Sequence, residues 1–231
     1  MKTIEVTKSD YNYSNFKAKF YQFKDFTGLK EGDTYQDFEF LSIQGQKKRL
    51  SDFLDKPLVV EMGSITCPMY AGHVTPMQEL ARKYPEFNFV VLYVREAHPG
   101  NNISCHKDFD EKVSAAKEAA RFYDDKRTIL VDDIDGEAHE IYGKLPNSVY
   151  VIDTDGAILF VKPWNNTDYL GDILTNLLHK KPTEDLKFRP AKPGLGQSFT
   201  TLLKGGWVSL YDFVVQLPEL LWKHWKAGNL Y

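Results

Sequence analysis

From residue 57 onward the chain alternates between two kinds of apolar pattern. "PLVVEM" (57–62), "FNFVVLYV" (87–94) and "RTILVDD" (127–133) are short apolar runs with β-branched residues, which predicts buried strands. Between them the apolar positions recur three or four residues apart. Residues 68–84 put Val74, Met77, Leu80, Ala81 and Tyr84 on one helical face. Residues 108–122 do the same with Phe109, Val113, Ala116 and Ala120. Asp108 is the expected N-cap of that second helix, with Glu111 completing a capping box. Pro76 falls inside the first helix and is expected to kink it. Further on, a short helical element is expected over 139–145. "NSVYVID" and "GAILFVK" then flank "TDG", a hairpin signal, and a last helix is expected over 168–179. Upstream, Phe38, Phe40 and Leu41 alternate before a turn at Gln44-Gly45 and a helical turn at 51–54. The order β-α-β-α-β, hairpin, helix predicts an α/β class with a mixed central sheet flanked by helices.

The two ends break this rhythm. Residues 1–30 are polar but aromatic-rich, with Tyr11, Tyr13, Phe16, Phe20, Tyr21, Phe23 and Phe26, and read as an arm packed on the domain. Residues 31–180 read as the domain itself, and 181–231 as a partly helical extension. The chain has 231 residues, which suits one domain with extensions. Its net charge of −3 gives no reason to expect a nucleic-acid partner. The charge is uneven, because residues 180–231 hold eight Lys/Arg against four Asp/Glu. That extension, with "GGWVSLYDFVVQLPELLWKHWK", suits docking on its own domain, a homodimer contact or an interfacial membrane helix. No apolar run is long enough to span a bilayer, and no signal-peptide pattern opens the chain, so a cytoplasmic protein is the expectation.

The candidate chemistry lies between the strands. The chain has two cysteines, too few for a disulfide framework and without metal-type spacing, so no metal is expected. Cys67 follows the first strand and precedes Pro68, which fits a first helical position. The same placement suits a buried structural thiol or a nucleophile. At a helix N-terminus its pKa is expected to fall below the ordinary value of about 8.5. Glu96 and His98 follow the second strand, and Cys105 and His106 precede the second helix. Strands joined by a right-handed crossover bring their C-terminal ends to one edge, so these groups are expected to converge there. Ser64 and Thr66 add hydroxyls beside Cys67. Glu96 would orient an imidazole, and Cys105 is either a resolving thiol or a bystander. His73, His139, His179 and His224 read as surface positions.

"GSITCP", "FVVLYVREAHPG" and "ISCHKDFDEKVSAAK" together, in order, resemble the iodothyronine deiodinases, over roughly residues 35–180. The resemblance implies a thioredoxin-like fold related to the peroxiredoxins. It places Cys67 at that family's selenocysteine position and Glu96, His98 and His106 at its acidic and histidine positions. Ser64 and Thr66 fall on its flanking hydroxyls. It implies reductive dehalogenation of an iodinated aromatic substrate. No bound cofactor is implied, but an external thiol reductant such as dithiothreitol, glutathione or a thioredoxin-like protein is. This chain departs from the pattern with Cys rather than selenocysteine at 67, Ile65 two positions earlier, no cysteine near Leu130, and no N-terminal anchor segment. A peroxiredoxin-like thiol peroxidase and a non-catalytic thioredoxin-fold binding module are the alternatives, although "SITCP" departs from the usual peroxidatic pattern.

Overall fold

The computed structural model of the protein describes residues 11–21, 26–183, 186 and 194–227. The remaining parts of the predicted arm, Phe23 included, and of the extension lie outside the described residues. Seven strands form one sheet: β1 (Glu39–Ser42), β2 (Lys47–Arg49), β3 (Leu58–Gly63), β4 (Asn88–Tyr93), β5 (Thr128–Val131), β6 (Val149–Ile152) and β7 (Ile158–Lys162). Their spatial order is β2-β1-β5-β4-β3-β6-β7. β3, β4 and β5 are parallel, and the pairs at both flanks are antiparallel. The three predicted apolar runs are therefore the sheet's centre, which is covered on both faces and needs apolar side chains all round. β2 was not foreseen, because "KKR" has no apolar alternation. It is an edge strand, and charge is what keeps an edge from pairing further.

The covering helices are α1 (Pro68–Lys83), α2 (Phe109–Tyr123), α3 (Glu137–Ile141), α4 (Thr167–Leu178), α5 (Leu195–Gly205) and α6 (Trp207–Lys226). α1 runs on through Pro76. The α2 cap forms largely as expected: Asp108 Oδ1 accepts from the Glu111 amide, while Glu111 reaches one residue further back, to the Lys107 amide.

Residues 11–21 of the arm and α6 pack together beside the loop that follows β4. The arm inserts Tyr13, Phe16, Ala18 and Tyr21 into a small core shared with Leu220, Leu145 and Phe213. α6 is tied to the arm by polar contacts: Gln216 accepts from the Ala18 amide, and Lys223 Nζ donates to the Ala18 and Tyr21 carbonyls. The turn between α5 and α6 sits on the loop after β4. Gly205 O accepts from the amides of Asn102 and Ile103 at 3.0 and 3.2 Å. This approach is backbone on backbone. A Cβ on Gly100 would lie 2.4 Å from Gly205 O, and Gly206, at φ +109, would press one on Asn101. Only glycine fits at these positions.

Candidate active site

Cys67 is the N-cap of α1, as the Pro68 signal implied. β3 ends at Gly63, where a Cβ would strike the Tyr70 ring at 2.4 Å. The strand can therefore run closely beneath the first turn of α1. The Cys67 amide donates to Ser64 O, which closes the turn.

The sulfur is not in the state the sequence suggested. It is 2% exposed, beneath a cover that the local pattern did not reveal. Burial pushes its pKa up to about 12; the N–H groups of Met69 and Tyr70 pull it down, and the Glu61 and Glu96 charges push it up again. The expected lowering by the helix N-terminus is present but smaller than the desolvation. In this closed state Cys67 is a neutral thiol.

Glu96 anchors the edge. It is fully buried, and its carboxylate accepts four hydrogen bonds. Oε1 takes the Tyr93 hydroxyl at 2.5 Å and His106 Nε2 at 3.1 Å. Oε2 takes the Thr66 hydroxyl at 2.5 Å and the Thr66 amide at 3.1 Å. Burial would raise its pKa, but His106, Thr66 and Tyr93 outweigh that and hold it below the ordinary carboxylate value. With these acceptor positions filled by donors, Glu96 is ionised and orients its neighbours. The Thr66 hydroxyl in turn accepts from the His98 amide, and Ser64 Oγ accepts from the Ala97 amide. The loops after β3 and β4 are thereby locked to each other.

His98 and His106 come to this edge with different surroundings. The His98 ring packs against Phe16 of the arm at 4.3 Å and Phe213 of α6 at 5.4 Å. That burial lowers its pKa to about 3, against a smaller opposing pull from Glu96, so it is neutral. His106 sits on Glu96. The Nδ1 atoms of both rings are buried without a hydrogen-bond partner. Such orphaned buried atoms are where a proton or a substrate group can be received. Both Cys67 and Cys105 are free thiols, and Cys105 is partly exposed.

Several groups at or beside this edge escaped the sequence reading. Tyr93 precedes Glu96 by three residues on a strand read only for its apolarity. Arg95 lies under the rings of Tyr11, Tyr13 and Tyr21, at 5.0, 4.9 and 6.0 Å. The Tyr13 hydroxyl donates to Ala97 O and meets the Tyr21 hydroxyl at 2.5 Å. A charge inside an apolar run was the available signal for Arg95, and equally for Glu61 in "VVEM". Glu61 is buried on β3 with Arg127, Asn147 and Asn165 as partners. Two histidines read as surface positions are not. His139 is completely buried between the Tyr11 hydroxyl and Leu145 O, because the arm covers it. His73 faces Asn147 and Glu61.

Comparison with known proteins follows the same lines. A family model described as iodothyronine deiodinase matches residues 6–180. The match begins in the arm, which the motifs over 35–180 had left outside. Thyroxine 5-deiodinase of Rattus norvegicus is 27% identical, over 58% of this chain and 48% of its own length. Type II iodothyronine deiodinase of Fundulus heteroclitus is 26% identical, over 47% of each chain. The chain thus spans about half the length of these curated relatives. Among solved structures, a peroxidoxin from Mycobacterium tuberculosis superposes with a TM-score of 0.51 at 22% identity, covering 66% of this chain and 97% of that one. The thioredoxin domain of a thiol-disulfide oxidoreductase from Bacteroides vulgatus gives 0.50 at 14%, covering 66% and 98%. These likenesses are of fold, and the fold is thioredoxin-like.

Proposed function

The chain belongs to the iodothyronine deiodinase family, and from that premise we propose that it is a thiol-dependent reductive dehalogenase of iodinated aromatic compounds. The observation that carries the reading is the clamp of Glu96 on Thr66, Tyr93 and His106, built directly beside Cys67. In this reading Cys67 is the nucleophile, His106 the oriented imidazole and Glu96 the carboxylate that holds it.

In the proposed reaction the electron pair of the Cys67 thiolate bonds to iodine as the carbon–iodine bond breaks. The electrons of that bond stay on the ring carbon, which takes a proton. His106 is the proposed proton source, because Glu96 orients its ring. Cys67 is left as a sulfenyl iodide. An external thiol displaces iodide to form a mixed disulfide, and a second thiol releases Cys67. Cys105 is the other candidate for displacing iodide, which would give a Cys67–Cys105 disulfide that two equivalents of external thiol then reduce.

Substrate access requires Phe16 and Phe213 to move off His98. Solvent or substrate reaching Cys67 would lessen the desolvation that keeps it protonated, while the Met69 and Tyr70 amides remain to hold a thiolate. The test is iodide release from thyroxine in dithiothreitol, with Cys67→Ala as control. Release that depends on Cys67 supports the reading. Release no greater than the control overturns it. A Cys67-dependent consumption of peroxide without iodide release would place the protein with the thiol peroxidases instead.

A further inference from the structure

α6 has one docked face and one exposed apolar face. On the docked side Phe213 and Leu220 pack into the arm core, Asp212 accepts from Asn15, Gln216 accepts from the Ala18 amide, and Lys223 donates to two arm carbonyls. Other large apolar side chains point outward. Trp207, Tyr211, Val214, Leu221, Trp222 and Trp225 are 47% to 70% exposed. At about 100° per residue these six fall within roughly a third of the helix circumference. The stripe runs the length of a 20-residue helix, about 30 Å, and no charged residue interrupts it. α5 extends the same character with Leu195 and Phe199, both exposed. Surfaces of this kind on a folded chain mark contact with something other than water.

Three features point to a lipid surface as the occupant. The stripe is rich in tryptophan and tyrosine, whose rings combine an apolar body with a polar tip and settle at the bilayer interface. Of the four tryptophans in the chain, three are on α6. Lys226 lies at the rim of the stripe, with its ammonium 3.8 Å from the Trp222 ring centre, where phosphate headgroups would meet it. The charge is also complementary in direction. Residues 180–231 carry eight Lys/Arg against four Asp/Glu, in a chain whose net charge is −3. An anionic surface attracts this segment of the sequence and repels the rest. Among the described residues no helix is long and apolar enough to cross a membrane, and α6 carries Asp212, Glu219, Lys223 and Lys226. The fitting geometry is a helix lying in the interface plane.

We propose that α5 and α6 form a peripheral membrane-binding surface that seats the protein on anionic bilayers through the outward stripe of α6. The test uses the full chain with vesicles of phosphatidylcholine containing phosphatidylglycerol, read by co-sedimentation and by tryptophan emission. The expected result is sedimentation with the vesicles and a blue shift of emission, both weaker at high ionic strength. The double variant Trp222→Glu/Trp225→Glu alters only exposed positions. It should keep the wild-type thermal melt and lose vesicle affinity by about tenfold or more. Absence of sedimentation and of any emission change overturns the proposal. So does a stable dimer in which the tryptophans are already blue-shifted and unresponsive to lipid, because the stripe would then belong to a second copy of the chain.

Discussion

Glu61 on β3 and Glu96 just past β4 are both buried carboxylates held below their ordinary pKa, but the partners that hold them differ in kind. Glu61 faces a cation that cannot give up its proton. Arg127 Nη1 lies 2.7 Å from Oε2, Asn147 and Asn165 donate to Oε1, and the His73 ring stands further off, at 3.7 Å. Arg127 is fixed in turn by a two-pronged contact with Asp125, to which the Tyr70 hydroxyl also donates. Glu96 has only hydroxyls, an amide and an imidazole. The first cluster stores a neutralised charge under α1. The second is made of groups whose protons can move. On that difference the Glu61 cluster is assigned to stability and the Glu96 cluster to chemistry.

The assignment is open to direct attack, and the largest effect should come from Arg127→Met. It strands Glu61 and Asp125 without their cation, and breaking such a buried pair costs about 3–5 kcal/mol. Urea unfolding should show that loss. A stability within 1 kcal/mol of wild type, roughly the range of a surface change, would remove the structural reading. Glu96→Gln should act the other way round. The amide keeps the size but sets a donor against donors and no longer fixes His106. Iodide release should fall by about 10²–10⁴-fold, with much the smaller effect on stability. If the fall in rate merely followed unfolding, the two carboxylates would not differ in role.

Acid titration sharpens the same contrast with a smaller effect. Glu61 has a folded-state pKa of about 2, against about 4.5 in the unfolded chain. Burial opposes this lowering, and the Arg127 charge, the His73 ring and the Arg127 hydrogen bond together outweigh it. A lowered carboxylate contributes stability that is fully present above the unfolded value and is lost as pH falls toward the folded one. Stability should therefore drop by about 3 kcal/mol from this group between pH 4.5 and 2. Glu61→Gln should start lower at pH 7 and decline less across that window, as followed by circular dichroism.

Much of the framework was legible because it is local. The strand–helix alternation, Pro68 after Cys67 and the Asp108 cap each need only a few neighbouring residues to be read. The meeting of Cys67's segment with Glu96 and His106 followed from the handedness of the crossover. The protonation state of Cys67 was not legible, since it depends on residues far away in the chain. The burial of His98 was not legible either: Phe16 and Phe213 meet on it from distant parts of the sequence, and no periodic pattern records which edge an arm or an extension will cover. Arg95, Glu61 and Tyr93 were hidden for another reason. An apolar run is read for its period, and a single charge or hydroxyl within it names no partner.

The cover itself gives the smallest effect. His98 is buried beneath Phe16 and Phe213 with a pKa of about 3, so opening the cover returns it toward about 6.5 and takes up a proton. A base whose folded pKa is depressed stabilises the closed form above its free value, and that stability is lost as pH falls below it. The open population should scale inversely with the neutral share of the freed imidazole, rising about tenfold between pH 7.5 and 5.5. Hydrogen exchange of the Ala18 amide, which the α6 residue Gln216 protects, reads that opening once the intrinsic pH dependence is divided out. His98→Phe keeps an aromatic ring between Phe16 and Phe213 but removes the titration, and should leave the exchange of Ala18 flat over the same range. An equal tenfold rise in that variant would mean that the cover responds to some group other than His98. Catalytic opening and acid opening would then be separate motions of the arm.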